Sequence, residues 1–161
     1  MPRRSKAELL AEYHRLCDAV EISHEALCRM EPEWRQFPGP TPREVYLSLV
    51  DRGETTLSEC IAGAREALTD LAPRGSPYPE EAAREARFLA LYTEVSGRSY
   101  WEDCTRPGAQ AKAILRRGYL ADETEWRLLE SILADVSQTI LNARGIEKAN
   151  EMLSEFESNN G

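Results

Sequence analysis

Apolar residues recur at alternating spacings of three and four along most of the chain, and no stretch sustains a two-residue alternation. The pattern predicts helices throughout and no sheet. The first stripe runs through Leu9, Tyr13, Leu16, Val20, Leu27 and Met30, opened by the capping box Ser5-Lys6-Ala7-Glu8. It should stop near Pro32, because the residue before a proline avoids the helical region. A second box, Thr41-Pro42-Arg43-Glu44, predicts a short helix carrying Val45, Tyr46, Leu49 and Val50, ended by Gly53. A third, Thr56-Leu57-Ser58-Glu59, opens a stripe of Leu57, Cys60, Ile61, Ala64, Leu68 and Leu71.

The second half continues in the same way. Residues 80–95 read as an alanine-rich helix with Ala83, Ala86, Leu91 and Val95 on one side and Phe88 and Tyr92 beside them. Small alanines there predict a close-packed neighbour. Residues 109–117 form a short helix closed by Gly118. The clearest helix of all spans 122–143. Asp122 caps it, Glu125 reaches back, and Trp126, Leu129, Leu133, Val136 and Ile140 share one stripe. Gly145 stands where its C-terminal cap belongs. Ile146, Ala149, Leu153 and Phe156 then begin a last stripe. The expected fold is all-α, an irregular antiparallel bundle of about seven helices joined mostly by short loops.

Two connectors interrupt the stripes. Residues 34–40 are turn-rich and hold Trp34 and Phe37, expected to pack the loop onto the bundle. Residues 72–79 hold Pro73, Gly75, Pro77 and Pro79. They read as a loop or sub-domain junction inside one domain, 1–161, since either side alone is small for an independent helical core.

Composition agrees with a globular chain: 42% hydrophobic and 30% charged residues over 161 positions. The net charge of −8 argues against bulk attraction to nucleic acid or anionic membrane. The charge is uneven. Residues 121–161 hold three basic and nine acidic side chains, a net of −6, whereas 98–120 hold five basic and two acidic, a net of +3. Basic residues at 1–6 precede no apolar run, and the four cysteines, Cys17, Cys28, Cys60 and Cys104, are not closely paired. Together these predict a cytoplasmic protein with free thiols, no signal peptide and no membrane span.

Candidate chemistry is sparse. His14, Cys17, His24 and Cys28 fall within about 80° on a helical wheel, yet His14 and Cys28 lie about 21 Å apart along a straight helix. A zinc ion needs its ligands within about 2.0–2.3 Å, so one site would require the helix to fold back near Ser23. Glu21-Ile22-Ser23-His24 matches one Glu-x-x-His element, and the second element of a di-iron bundle is missing. Cys104 sits in an Arg-flanked segment that could lower a thiol pKa, without a histidine linked to it by any motif. No phosphate-cradling glycine loop, nucleophile elbow or dinucleotide fingerprint occurs. The expectation is a protein that is not an enzyme and holds no metal or cofactor.

What remains points to binding. Arg98, Tyr100, Trp101, Arg106, Arg116 and Arg117, with Lys112, interleave basic and aromatic side chains, the types enriched at interface hot spots. The leading expectation is a protein-binding module of the adaptor, inhibitor or immunity type, its acidic surface suited to a basic partner. The apolar stripes also allow a homodimer through the C-terminal helices. The alternative is a nucleic-acid-binding regulator. It would use residues 98–117 as a single-strand platform, or residues 45–71 as a helix-turn-helix whose second helix offers only Arg65 beside Glu59, Glu66 and Asp70.

Overall fold

The computed structural model describes residues 4–161, so part of the basic start at 1–6 lies outside the described residues. Among the described residues there are eight α-helices, one short 3-10 helix and no strand: an all-α helical bundle. None of these helices is long and apolar enough to cross a membrane. The chain divides into two compact units, Met1–Leu71 and Ala72–Gly161, and the division falls at the start of the proline-rich 72–79 stretch.

The first unit holds α1 (Lys6–Met30), the 3-10 helix Pro32–Gln36, α2 (Arg43–Asp51) and α3 (Leu57–Leu71). Ser5 and Glu8 close the capping box that starts α1, with the Glu8 amide donating to Ser5 Oγ at 3.2 Å and the Ser5 amide to Glu8 Oε2 at 2.6 Å. Thr56 and Glu59 repeat the device at α3. α1 lies along α3, and each buries part of its stripe: Tyr13, Leu16 and Ala19 from one, Leu57, Ile61 and Leu68 from the other. The expected box at Thr41 is absent. Pro42 is the N-cap and makes no side-chain bond. α2 is tied down instead by Arg43, which donates to Asp18 at 2.5 Å, Glu21 at 3.0 Å and the His14 carbonyl at 3.3 Å. Trp34 and Phe37 also depart from expectation. Their rings meet at a tilt with centroids 5.8 Å apart and stay exposed, and Trp34 Nε1 donates to Glu31 Oε2 at 2.6 Å.

The second unit holds α4 (Pro79–Ser96), α5 (Tyr100–Asp103), α6 (Thr105–Arg117), α7 (Glu123–Ala134) and α8 (Ala143–Asn160). α4 turns Phe88, Leu89 and Tyr92 inward and leaves Ala83 and Ala86 exposed. A buried aromatic removes far more apolar area from water than an alanine, about 1.5–3 kcal/mol per large side chain, so the aromatic side sets the helix rotation. The helix beyond the seven expected is the four-residue α5.

The long helix expected over 122–143 stops short, and non-helical turns carry the chain from 135 to 142. α7 starts as foreseen, with Asp122 Oδ1 accepting the Glu125 amide at 2.9 Å, and ends at Ala134. There the Asp135 carboxylate accepts the Ser137 amide at 2.9 Å and its hydroxyl at 2.5 Å. Gln138 then closes a second turn on Leu141, accepting its amide at 2.9 Å. Side chains that satisfy nearby backbone groups compete with the helical ladder, and here they win. Val136, counted on the stripe, is fully exposed at 101%. Gly145 is no C-cap; its amide donates to Asn142 Oδ1, which opens α8.

Candidate binding face

Local packing sorts the six sequence-predicted site residues into two groups. Tyr100 and Trp101 are 0% exposed. Ser99 caps α5 by accepting the Trp101 amide at 3.3 Å, which starts the single turn that drives both rings inward. The Tyr100 ring meets Phe88, Tyr92 and Trp101 edge to face, with centroids 5.3, 5.0 and 5.5 Å away. Arg98 belongs with them. Its Nε donates at 2.7 Å to Asp103, a carboxylate only 3% exposed that also accepts the Tyr92 hydroxyl. A buried charge needs such a partner. Burial pushes the Tyr92 and Tyr100 phenols far above their ordinary range, so both remain neutral donors. In this conformation the two aromatics present no surface to a partner.

Arg106, Arg116 and Arg117 belong to α6 and face solvent. The helix buries Pro107, Gly108, Ala111, Ile114 and Leu115, and Gly108 lets Ile140 approach so closely that a Cβ would stand 3.1 Å from its Cδ1. At 100° per residue the opposite side then carries Arg106, Ala109, Lys112, Ala113, Arg116 and Arg117. Between Asp103 and Asp122 the chain has no acidic residue. Among the described residues Arg106, Lys112 and Arg116 make no ion pair, and Arg106 and Arg116 stand about 15 Å apart along the axis. Arg117 pairs with Glu125, donates to the Tyr119 carbonyl at 3.0 Å, and places its guanidinium 4.5 Å from the Tyr119 ring centroid. Tyr119 is 59% exposed. Apolar spacing does not single out Tyr119; the acid-free run from 104 to 121 is the sequence signal that marks it.

The other candidates scatter. α1 runs unbroken from Lys6 to Met30, so His14 and Cys17 stay far along it from His24 and Cys28. His14 Nδ1 faces Arg43 Nη1 at 3.2 Å, and the Cys28 sulfur lies 3.7 Å from His24 Nε2. Among the described residues no three His, Cys, Asp or Glu side chains converge as metal ligands would. Cys104 is buried beneath Tyr100 rather than set in a polar loop. On α3 Arg65 is committed to Glu12, leaving Glu59, Glu66 and Asp70 exposed where a recognition helix would need cations. A row of cations with an exposed tyrosine can hold carboxylates or phosphates; it offers no nucleophile and base within reach of each other.

No protein-family model matches the chain, and neither the curated proteins nor the solved structures include a match to it.

Proposed function

We propose that this protein is a non-enzymatic binding module that docks an acidic segment of a partner protein on the outward face of α6. The observation that carries the reading is the cation row Arg106, Lys112 and Arg116, unpaired and uninterrupted by any acid, in a chain of net charge −8. Ala109 and Ala113 keep the middle of that row low, so a partner's backbone can approach between the arginines. Tyr119, held by Arg117, supplies a rigid aromatic anchor at one end. A polyanion such as nucleic acid meets the repulsion of the whole acidic molecule, which a short acidic protein segment largely escapes. α8 adds polarity, since Glu147, Glu151 and Glu155 follow one another at four-residue spacing. A second copy of the chain could therefore supply the acidic segment.

The test compares wild type with Arg106→Glu/Arg116→Glu in affinity capture from the source lysate, with mobility shift and sedimentation run in parallel. A protein retained by wild type, lost from the double variant and released as salt rises supports the reading. Equal retention by both proteins overturns it. A shifted oligonucleotide band would transfer the face to nucleic acid, and a concentration-dependent dimer abolished by the charge reversal would make the partner a second copy.

A further inference from the structure

We propose that a cleft of about 370 Å³ in the Met1–Leu71 unit binds a small amphiphilic amine, its apolar body against Tyr13 and Tyr46 and its ammonium on Glu59. The inference is independent of the α6 face. The cleft lies among α1, α2 and α3, and its volume falls in the range of small-ligand sites. Val20 and Ala64 continue the apolar wall, and Cys17 and Cys60 both lie on it.

Two features point to an occupant. The first is charge. The lining includes Glu21 and Glu59 and no Lys or Arg. Glu21 already has a cation, sharing Arg43 with Asp18 at 3.0 and 2.5 Å. Glu59 accepts three bonds on Oε2 alone, from the Thr55 hydroxyl at 3.0 Å, the Thr56 amide at 2.8 Å and the Thr56 hydroxyl at 2.9 Å. Among the described residues no cation is within ion-pair distance of it. The bonds from Thr56 and Thr55 hold this carboxyl below its ordinary range, so it is charged at neutral pH. A fixed carboxylate on the lining of a largely apolar cleft suits an alkylammonium with an apolar body, which gains an ion pair while its hydrocarbon leaves water.

The second feature is Gly63. It sits within α3, where glycine is a poor helix former. Its φ is not positive, and a Cβ there would meet nothing within 4 Å. Neither turn geometry nor tight packing requires a glycine, yet the position lines the cleft, and a larger side chain would occupy that space. The missing side chain keeps the cleft open.

The probe is 4-phenylbutylamine, titrated into the full-length protein and followed by amide chemical shifts, with 4-phenylbutanol and 4-phenylbutyrate as charge controls. Binding is expected to move the amides of Cys17, Val20 and Ala64, with the alcohol at least about tenfold weaker and the acid weaker still. Glu59→Gln keeps a capping-box residue and should erase the preference for amine over alcohol. Gly63→Leu should abolish binding while raising thermal stability. Bound amine should also slow alkylation of Cys17 and Cys60. The proposal is overturned if the amine moves none of these amides, if alcohol and acid bind as tightly as the amine, or if Gly63→Leu binds as wild type does.

Discussion

Trp101 is the side chain at which burial and recognition compete most directly. An indole beside Arg98 and Tyr100 has the composition of an interface hot spot, and it equally has the largest apolar body a core can use. Burial decides: the ring is 0% exposed and packs on Tyr100. Among the described residues no protein group accepts a hydrogen bond from its Nε1. Trp101→Ala is expected to lower the unfolding free energy by about 3–5 kcal/mol, read from urea denaturation followed by circular dichroism. A loss under about 1 kcal/mol would remove the side chain from the core. Arg98→Ala should also destabilise, because it strips a partner from buried Asp103, whereas Arg106→Ala and Arg116→Ala should leave stability nearly unchanged.

At the scale of elements, the break between α7 and α8 is the main feature of the second unit that hydrophobic spacing hides. Five apolar residues at helical spacing are compatible with a continuous rod, and periodicity has no term for a carboxylate that bonds the backbone two residues on. Asp135 does so, and it is itself buried, with the Ser99 hydroxyl 3.4 Å from its second oxygen. Removing it leaves the Ser99 and Ser137 groups without that acceptor. Asp135→Ala is therefore expected to cost about 2–3 kcal/mol, measured by chemical denaturation. It should also weaken amide protection at Ser137 and Leu141 in hydrogen exchange. Unchanged protection there would show that the turn holds without its aspartate.

For the molecule as a whole, titration sets the two units apart. In Met1–Leu71 four carboxyls are held below their ordinary value of 4.5: Glu8 by the Ser5 backbone and hydroxyl, Glu25 by Arg35 and Arg29, Glu59 by Thr56 and Thr55. For the fourth, Glu12, burial works upward and is outweighed by Arg4 and Arg65. A carboxyl with a depressed folded pKa stabilises above its unfolded value, and that stability is lost as pH falls through the folded one. In Ala72–Gly161, burial and the neighbouring Glu157 raise Glu130. Its sign is opposite: its contribution is present at low pH and lost as pH rises. Acidification from neutral pH to about pH 3 should thus weaken amide protection in α1 and α3 before α7, as hydrogen exchange would read. Glu130→Gln should raise the melting temperature at neutral pH and leave it unchanged in acid. Protection lost first in α7, or a Glu130→Gln effect confined to acid, would contradict this.

Apolar spacing and capping residues determined on their own that the chain is all-helical, where α1 and α3 begin and roughly where they end. These depend on neighbours within about one turn, such as Ser5 with Glu8 and Thr56 with Glu59. The acid-free run that becomes the α6 face was legible too, since Arg106, Arg116 and Arg117 needed only a helix to line them up. Tertiary structure alone decided which aromatics are buried, because Tyr100, Trp101, Trp34 and Tyr119 are alike in local pattern and differ only in what folds over them. It also decided that Cys104 is covered, that Asp135 ends α7, and that Gly63 opens onto a cleft. Those outcomes depend on distant side chains competing for the same space and the same hydrogen bonds, a competition that spacing along the chain does not record.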